Sequence, residues 1–367
     1  MSTPIHPTTL WFDDQTGTVC VIDQTRLPFE TVVLTLETLE QAAEAIVGMK
    51  VRGAPLIGIT AAFGVYLALR VDQGSLLQAC ERLINTRPTA VNLRWALDRM
   101  QAQLKDLPVG LQAEQALVLA KQILAEDAAA CSAIGDFGLE ILQSLYQHKC
   151  ARLGRDAVLN VLTHCNAGWL ATGAWGTALA PVYKAKLAGI PVHVWVDETR
   201  PRSQGASLTA WELSHSGIAH TLIVDNAGGH LMQHGKVDVC LVGSDRTTAS
   251  GDVCNKIGTY LKALAAHDNG IPFYAALPVS TVDFGMMDGV REIPIEERSA
   301  DEVTHIQGQQ EDGRLTRVRI ASAQTAVSNP GFDVTPARLV TGLITELGVF
   351  PATAAGLAAL KAAAISG

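Results

Sequence analysis

Polar segments that could carry chemistry follow four apolar runs in the second half of the chain. They are THCNAG after AVLNVL, DETRPRSQGA after PVHVWV, DNAGGH after HTLIV, and SDRTTASGDVCNKIG after VDVCLVG. Each apolar run is typical of a buried strand, and ligands of open α/β sheets bind beyond the carboxyl ends of the strands. The four segments therefore predict one crevice in which several polar side chains meet.

Two side chains in these segments are suited to catalysis, and each also has a structural interpretation. Cys165 lies in a turn just after a strand, where backbone amides and a helix dipole favour a thiolate; the alternative is a small buried hydrophobe. Asp245 also follows a strand, and a carboxyl in an apolar crevice has a raised pKa that suits a general acid; the alternative is turn formation. His164 points to the other face of its strand and is expected to be structural.

Two arginine motifs in the first half of the chain could bind a small phosphate. VRGAPLIG contains Arg52 and the backbone amides of Gly53 and Ala54, and TRPTAVNLRWA contains Arg87. A glycine before a helix supplies amide donors to an anion, and a guanidinium adds a bidentate contact. Each arginine could equally form a surface ion pair, so neither motif is specific on its own.

A third basic motif and one glutamine are further candidates for ligand binding. CNKIGTY contains Asn255 and Lys256, and the lysine would act on a phosphate as a point charge. Gln204 could orient a sugar hydroxyl or tie a loop. The chain has no Walker A loop, and CNAGWLATGAWG lacks the glycine spacing of GxGxxG, which argues against a dinucleotide cofactor.

The chain is expected to fold into two domains. It has 367 residues, 48% of them hydrophobic, which is enough for a sizeable core and longer than one compact core usually organises. Residues 1–147 combine short β-like runs with amphipathic helices and predict an α+β domain. In residues 148–367 the apolar runs alternate with helical stretches, which predicts an α/β, Rossmann-like domain with a doubly wound parallel sheet.

Composition argues against several other classes of protein. A net charge of −8 disfavours a nucleic-acid partner, which needs a concentrated basic face. The seven cysteines form no CxxC pair, so they predict neither a disulfide framework nor a metal site and fit a reducing cytoplasm. The N-terminus has no secretory pattern, and the polar residues and glycines of the uncharged stretch 157–183 favour a strand, a turn and a helix over a membrane span.

Seven segments together resemble the methylthioribose-1-phosphate isomerase family. They are KVRGAPLIGITAAFG, TRPTAVNLRWAL, THCNAGWLATGAWGTALAP, DETRPRSQGASLTAWEL, VGSDRTTASGDVCNKIGTY, IPIEER and NPGFDVTP. The match runs in order from Lys50 to Pro336 and spans both predicted domains, which makes it more specific than any one motif. The wider superfamily includes the alpha, beta and delta subunits of the translation-initiation guanine-nucleotide exchange factor, and ribose-1,5-bisphosphate isomerases.

The resemblance implies an aldose–ketose isomerase that converts 5-methylthioribose 1-phosphate to 5-methylthioribulose 1-phosphate in methionine salvage. It implies that Asp245 is the acid and Cys165 the second catalytic residue. It further implies that the enzyme needs no cofactor or metal and forms a cytoplasmic homodimer. The substrate contacts that the family implies are Arg52, Gly53, Ala54, Arg87, Gln204, Asn255 and Lys256.

The implied reaction leaves two chemical routes open. The phosphate sits on the anomeric oxygen, so the ring cannot open as a free aldose does, and an acid must protonate the ring oxygen. Hydrogen then moves from C2 to C1, either as a proton through an enolate with Cys165 as base, or as a hydride with Cys165 stabilising charge.

Two alternative functions remain open at this stage. A non-catalytic regulatory subunit of the exchange factor would share the fold but would not need both Cys165 and Asp245. An isomerase of 5-deoxyribose 1-phosphate or ribose 1,5-bisphosphate would differ in the lining around C5. A second phosphate needs another basic cluster, whereas a methylthio group needs apolar side chains; Trp169, Trp175 and Met232 are either such a lining or part of the core.

Overall fold

The N-terminal part of the chain combines a small antiparallel sheet with five helices. The computed structural model describes residues 8–87, 89–154 and 157–366. Three strands pair in sequence order: β1 (Leu10–Asp13), β2 (Thr18–Ile22) and β3 (Val33–Leu36). The helices are α1 (Leu39–Val47), α2 (Ala54–Val71), α3 (Leu76–Ile84), α4 (Val91–Leu104) and α5 (Val109–Leu153). The α+β character predicted for this part is confirmed.

Helix α2 forms the centre of the N-terminal core. Gly53 precedes it with a φ of 97°, and Pro55 lies in its first turn, where a missing N–H costs nothing. The helix is apolar on all sides, as expected for one surrounded by other elements. Among the described residues it alone is long and apolar enough to span a membrane by length and composition, and 83% of it is buried inside the fold.

Helix α5 joins the two predicted domains. It contacts α2 and α4 on the N-terminal side and the second part of the chain on the other. Gly138 allows close packing there, since a Cβ at this position would lie 2.2 Å from Cγ of Pro181. The predicted boundary between residues 147 and 148 falls inside this helix, which continues to Leu153. The division into two domains at that point stays a prediction.

The second part of the chain alternates strands and helices. Its elements are β4 (Leu159–Thr163), α6 (Ala180–Leu187), β5 (Val192–Asp197), α7 (Ala210–His215), β6 (Ala219–Ile223), α8 (Ala227–Gln233), β7 (Val239–Val242), β8 (Arg246–Thr248), β9 (Val253–Lys256), α9 (Thr259–Asp268), β10 (Phe273–Ala276), β11 (Val282–Asp283), α10 (Gly289–Glu292), α11 (Ala300–Thr304), β12 (His305–Gln309), β13 (Leu315–Arg319), β14 (Phe332–Thr335), β15 (Gly342–Thr345), β16 (Gly348–Phe350) and α12 (Ala354–Ser366).

Seven of these strands form the main sheet, in the order β16-β15-β10-β7-β4-β5-β6. All neighbours pair in parallel except β15 and β16. The chain starts at the central β4, runs outward through β5 and β6, returns to β7 beside β4, and continues outward in the other direction. This reversal makes the sheet doubly wound, as predicted, and places the topological switch point between β4 and β7.

A second, four-stranded sheet with the order β11-β8-β9-β14 lies after the switch point along the chain. The loop from β7 into β8 contains Asp245, β9 ends at Lys256, and β14 begins at Phe332. The charged segment after α11 forms the antiparallel hairpin of β12 and β13. The uncharged stretch 157–183 forms β4, a short 3-10 turn (Trp169–Ala171) and α6, as the sequence predicted.

Candidate active site

Cys165 lies in the turn that follows β4, in a backbone conformation fixed by two hydroxyl groups. Its φ is 65°, a left-handed value that residues with a side chain rarely adopt. The backbone N–H of Cys165 donates to Oγ1 of Thr199 at 2.8 Å, and its carbonyl oxygen accepts from Oγ1 of Thr209 at 2.6 Å. The thiol donates to Oε1 of Gln204 at 3.4 Å. The strained backbone is thus held on both sides, so that the sulfur keeps one position.

The thiol of Cys165 is buried among charged groups. Burial raises its pKa above the ordinary cysteine value, Arg52 and Lys256 oppose that rise, and the charge of Asp245 adds to it. The expected thiolate is therefore not the favoured form, because loss of water outweighs the two nearby cations. The effect of Arg52, Lys256 and Asp245 on this pKa indicates that their side chains lie near the thiol of Cys165.

Asp245 follows β7 and faces the same charged groups. Its backbone N–H donates to the carbonyl oxygen of Cys254 at 2.9 Å, which anchors the loop to β9. Burial raises the pKa of the Asp245 carboxyl, and Lys256, Arg87 and Arg52 oppose the rise. A carboxyl that keeps its proton to a higher pH is suited to general-acid catalysis, and the role of Asp245 as the acid stays a prediction.

Arg52 reaches from the N-terminal part of the chain to the turn that contains Cys165. Its guanidinium donates to Oδ1 of Asn166 and, at 2.7 Å, to the carbonyl oxygen of the same residue. Gly53 and Ala54 then begin α2, and a Cβ at Gly53 would lie 2.5 Å from the carbonyl oxygen of Ala171. Only glycine permits this approach, which sets Arg52 and the start of α2 against the end of the turn.

Arg87 is partly buried between two parts of the fold. Its Nη2 donates to Oε2 of Glu296 at 3.0 Å, and its Nη1 lies 3.9 Å from the sulfur of Met49. The guanidinium carbon lies 6.0 Å from the ring centroid of Phe332. Arg87 is therefore ion-paired, but with a carboxylate inside the crevice and not on an open surface.

Lys256 and Asn255 are neighbours at the end of β9, and both side chains have local partners. Nζ of Lys256 donates to the carbonyl oxygen of Gly331 at 3.0 Å and lies 4.7 Å from the ring centroid of Phe332. Burial lowers the pKa of Lys256. Nδ2 of Asn255 donates to Oγ1 of Thr259 at 3.0 Å, within the turn that starts α9.

Two small cavities each include some of the residues predicted for the site in their lining. One, of about 30 Å³, is lined by Ala54, Arg87, Asp245 and Phe332, among others. The other, of about 270 Å³, includes Arg52 and Gln204 in its lining. A separate cavity of about 850 Å³ is lined by residues of α2, α4 and α5 and by residues of the second part of the chain, and none of the nine residues predicted for the site lines it. Those predicted site residues that line a cavity therefore line one of the two small ones.

His164 is part of a buried charged group behind the site. Its Nδ1 lies 2.9 Å from Oδ2 of Asp197, and its Nε2 lies 2.8 Å from the carbonyl oxygen of Ile257. His164, Asp197 and Asp225 offer ligand atoms within 4.8 Å of one another. However, the ammonium group of Lys262 lies 3.1 Å from Asp197 and donates to the carbonyl of Asp225, so the cluster already contains a cation. This arrangement agrees with the structural role expected for His164.

Sequence reasoning assigned no role to five residues that shape the site. They are Asn166, Thr199, Thr209, Glu212 and Glu296. Each lies inside a segment that carried the family resemblance. For Glu212 a signal was present, since a lone carboxylate in the otherwise apolar run LTAWEL indicates a buried charge with specific partners.

Comparison with known proteins identifies the family of the chain. The Initiation factor 2 subunit family matches residues 50–352. The methylthioribose-1-phosphate isomerase of Methylorubrum populi is 62% identical over 344 residues, which cover 93% of each chain. The enzyme of the same name from Methylobacterium nodulans is 61% identical over 341 residues, 92% of each chain.

Solved structures agree with these relatives. The crystal structure of 5-methylthioribose 1-phosphate isomerase from Pyrococcus horikoshii superposes with a TM-score of 0.82 at 39% identity, covering 98% of this chain and 96% of that one. Translation initiation factor eIF-2B, subunit delta, from A. fulgidus gives 0.76 at 39% identity, covering 94% and 96%. The chain belongs to the methylthioribose-1-phosphate isomerases within the Initiation factor 2 subunit family.

Proposed function

We propose that this chain converts 5-methylthioribose 1-phosphate to 5-methylthioribulose 1-phosphate, the aldose–ketose step of methionine salvage. Eight relatives with 56–62% identity over nearly the whole chain carry the name of that enzyme. The observation that supports the proposal is the grouping of a buried carboxyl with a raised pKa, a buried thiol, two arginines and a lysine near the switch point. A regulatory subunit without catalysis would need no such acid and thiol.

Asp245 supplies the proton that opens the ring. Its raised pKa keeps the carboxyl protonated to a higher pH than an ordinary aspartic acid, so a proton is available for the ring oxygen. The bond from C1 to the ring oxygen breaks as this proton is delivered. The C2 hydroxyl loses a proton when it becomes the ketone, so the reaction is neutral in protons.

Cys165 acts in the hydrogen transfer from C2 to C1. Burial raises the pKa of the Cys165 thiol, so little thiolate is present to act as a base. This favours transfer of the hydrogen as a hydride over the enolate route. In the hydride route C2 becomes electron-poor while hydrogen moves with its electron pair to C1. The buried sulfur excludes water from this step and stabilises the charge that develops next to it.

Two of the donors that would hold the phosphate have no partner among the described residues. Nε of Arg52 and Nε of Arg87 are buried and make no hydrogen bond to the described residues. The ammonium group of Lys256 adds positive charge, and Gly53 and Ala54 contribute backbone amides at the start of α2, where no side chain caps the helix. These groups would bind the phosphate with charge-assisted hydrogen bonds.

The sugar lies next to Gln204 and Asn255, and the lining near Gln204 favours an apolar C5 substituent. The cavity of about 270 Å³ also contains Arg202 and Arg317, but each is paired with a carboxylate, Glu302 and Asp301 respectively. Unlike Arg52 and Arg87, neither has a buried nitrogen without a partner among the described residues, which disfavours ribose 1,5-bisphosphate. The apolar part of the lining is formed by Leu27, Phe29, Met49 and Leu208.

Trp169 and Met232 belong to the core, with 1% and 3% of their surfaces exposed. Trp175 packs on the core cluster that includes Trp169 and stacks on the ammonium group of Lys184. None of the three lines either small cavity. The core interpretation of these side chains is therefore the better one.

Kinetic assays on three purified substrates test the proposal. We expect the highest kcat/KM with 5-methylthioribose 1-phosphate, a lower one with 5-deoxyribose 1-phosphate, and the lowest with ribose 1,5-bisphosphate. No turnover of any of the three would refute the enzymatic function. The proposal includes a homodimer in the cytoplasm, without nucleic-acid or membrane partners, and light scattering on the purified protein measures its oligomeric state.

A further inference from the structure

Glu212 is a fully buried carboxylate one layer behind the proposed site. It lies in α7, has 0% of its surface exposed, and accepts four hydrogen bonds. Oε1 accepts from Nδ2 of Asn166 at 2.9 Å and from the backbone N–H of Leu170 at 3.0 Å. Oε2 accepts from the backbone N–H of Trp169 at 3.0 Å and from the hydroxyl of Tyr183 at 2.8 Å.

These bonds determine which way the amide of Asn166 faces. A carboxylate only accepts, so Asn166 must turn its NH2 group toward Glu212. Oγ1 of Thr209 has given its own proton to the carbonyl of Cys165, so it also accepts from Nδ2 of Asn166, at 3.2 Å. Two acceptors on one side leave Oδ1 of Asn166 on the other side, where it accepts from the guanidinium of Arg52.

We propose that Glu212 is a positioning residue that sets the orientation of Arg52 through Asn166. With Asn166 turned this way, its Oδ1 and its carbonyl oxygen both accept from the terminal nitrogens of Arg52. The third nitrogen of Arg52, Nε, has no partner among the described residues and is left for a ligand anion. This inference rests on the proposed function, in which Arg52 binds the substrate phosphate.

The local backbone is built around the same carboxylate. A Cβ at Gly168 would lie 1.8 Å from Oε2 of Glu212, so only glycine leaves room for it. Burial raises the pKa of Glu212, and its hydrogen bonds to Asn166 and Tyr183 oppose the rise. Four donors converge on Glu212, and an ionised carboxylate can accept from all four. A glutamine amide in its place could accept only through its one oxygen atom.

The test is Glu212→Gln. The amide places an NH2 group where one carboxylate oxygen of Glu212 accepts two hydrogen bonds. In either orientation of the glutamine the negative charge that holds the NH2 group of Asn166 is lost, so the amide of Asn166 and, with it, Arg52 are less firmly oriented. We expect KM for 5-methylthioribose 1-phosphate to rise ~10-fold or more, the worth of about one charge-assisted hydrogen bond, with a much smaller change in kcat. The inhibition constant of inorganic phosphate should rise in parallel. Unchanged KM and phosphate inhibition in a folded Glu212→Gln protein would overturn the inference.

A double-mutant cycle separates positioning from general destabilisation. If Glu212 acts through Arg52, Glu212→Gln adds little to the rise in KM already caused by Arg52→Lys. Additive effects would overturn the inference. Glu346→Gln is the matched control, because Glu346 is another largely buried carboxylate that accepts a backbone N–H, from Val279, but has no contact with Asn166. This control should leave KM unchanged.

Two further measurements cover the remaining outcomes. If Glu212→Gln does not fold, Glu212→Asp keeps the charge, shortens the reach, and should raise KM less than the amide would; an unchanged KM there counts against the inference. If the wild-type protein turns over none of the sugar phosphates, the proposed function fails, and binding of inorganic phosphate by calorimetry still compares the wild type with Glu212→Gln.

Discussion

Cys165 and Asp245 follow two hydrogen-bonded neighbours, β4 and β7, at the one place where the strand order of the main sheet reverses. They are 80 positions apart in the chain, yet the charge of Asp245 raises the pKa of Cys165. At a switch point the two following loops diverge to opposite sides, and a crevice opens between them. The fold therefore accounts for the proximity of the Asp245 carboxyl and the Cys165 thiol.

Asp245→Asn should abolish turnover while leaving substrate binding largely intact. The amide keeps the shape of the side chain but has no proton to deliver to the ring oxygen. We expect kcat to fall about 100-fold or more, the usual worth of a general acid. Steady-state kinetics measures kcat, and calorimetry with 5-methylthioribose 1-phosphate measures binding. A variant that keeps near-full kcat would remove Asp245 as the acid.

The hydrogen that reaches C1 should come from C2 and not from solvent. Burial holds the thiol of Cys165 in its neutral form, which disfavours proton abstraction at C2. Turnover in heavy water should therefore give a product without deuterium at C1, as NMR or mass spectrometry would show. Deuterium at C1 would instead support the enolate route with Cys165 as base.

The parallel sheet and the residues at its strand ends were predictable from sequence. Apolar runs such as PVHVWV bury both faces of a strand, and parallel strands present their carboxyl ends at one edge. The positions of Cys165 and Asp245 in the crevice follow from that rule. The family resemblance then selected Arg52, Arg87 and Lys256 among many charged residues.

Other features depend on pairings that no local pattern encodes. Glu212 meets Asn166 across 46 positions and Arg87 meets Glu296 across 209, so neither contact has a sequence signature. The protonation of Cys165 was also misjudged, because the turn suggested donors for a thiolate whereas the assembled fold removes water from the sulfur. The competition between burial and nearby cations is decided only in the folded state.

Arg87 should contribute to both binding and positioning of the phosphate. It comes from the N-terminal part of the chain and is paired with Glu296. Arg87→Ala should lower kcat/KM by about 10- to 100-fold, as expected for a lost hydrogen bond to a charged group. Arg87→Lys keeps the charge but loses the planar fork, and should still cost activity.

Arg99→Lys is the control for Arg87, because Arg99 is ion-paired with Glu126 near the protein surface and lines neither small cavity. Its kcat/KM should equal that of the wild type. Thermal melts of all variants identify any that lose activity through unfolding. Unchanged kcat/KM in both Arg87 variants would contradict the phosphate role and leave Arg87 as a structural ion pair with Glu296.

Asp127 should make the stability of the protein depend on pH between about 4 and 7. Burial raises the pKa of Asp127 from 3.8 to about 7, against the hydrogen bond that it accepts from the N–H of Gly173. The folded protein thus holds this proton more tightly than the unfolded chain does. The resulting stabilisation is complete below the unfolded pKa and is lost as pH rises through the folded one. Asp127→Asn keeps an acceptor for Gly173 and removes the titration.

The melting temperature of Asp127→Asn relative to the wild type should therefore rise between pH 4 and 7 and stay constant above that. Comparing the two proteins at each pH cancels the titration of all other groups, since only position 127 differs. Asp136→Asn is the matched control on the same helix, because it makes the same substitution at a side chain that is 66% exposed. A difference between Asp127→Asn and the wild type that is the same at pH 4 and pH 7 would mean that Asp127 titrates alike in the folded and unfolded states. Burial would then not be the cause assigned to its pKa.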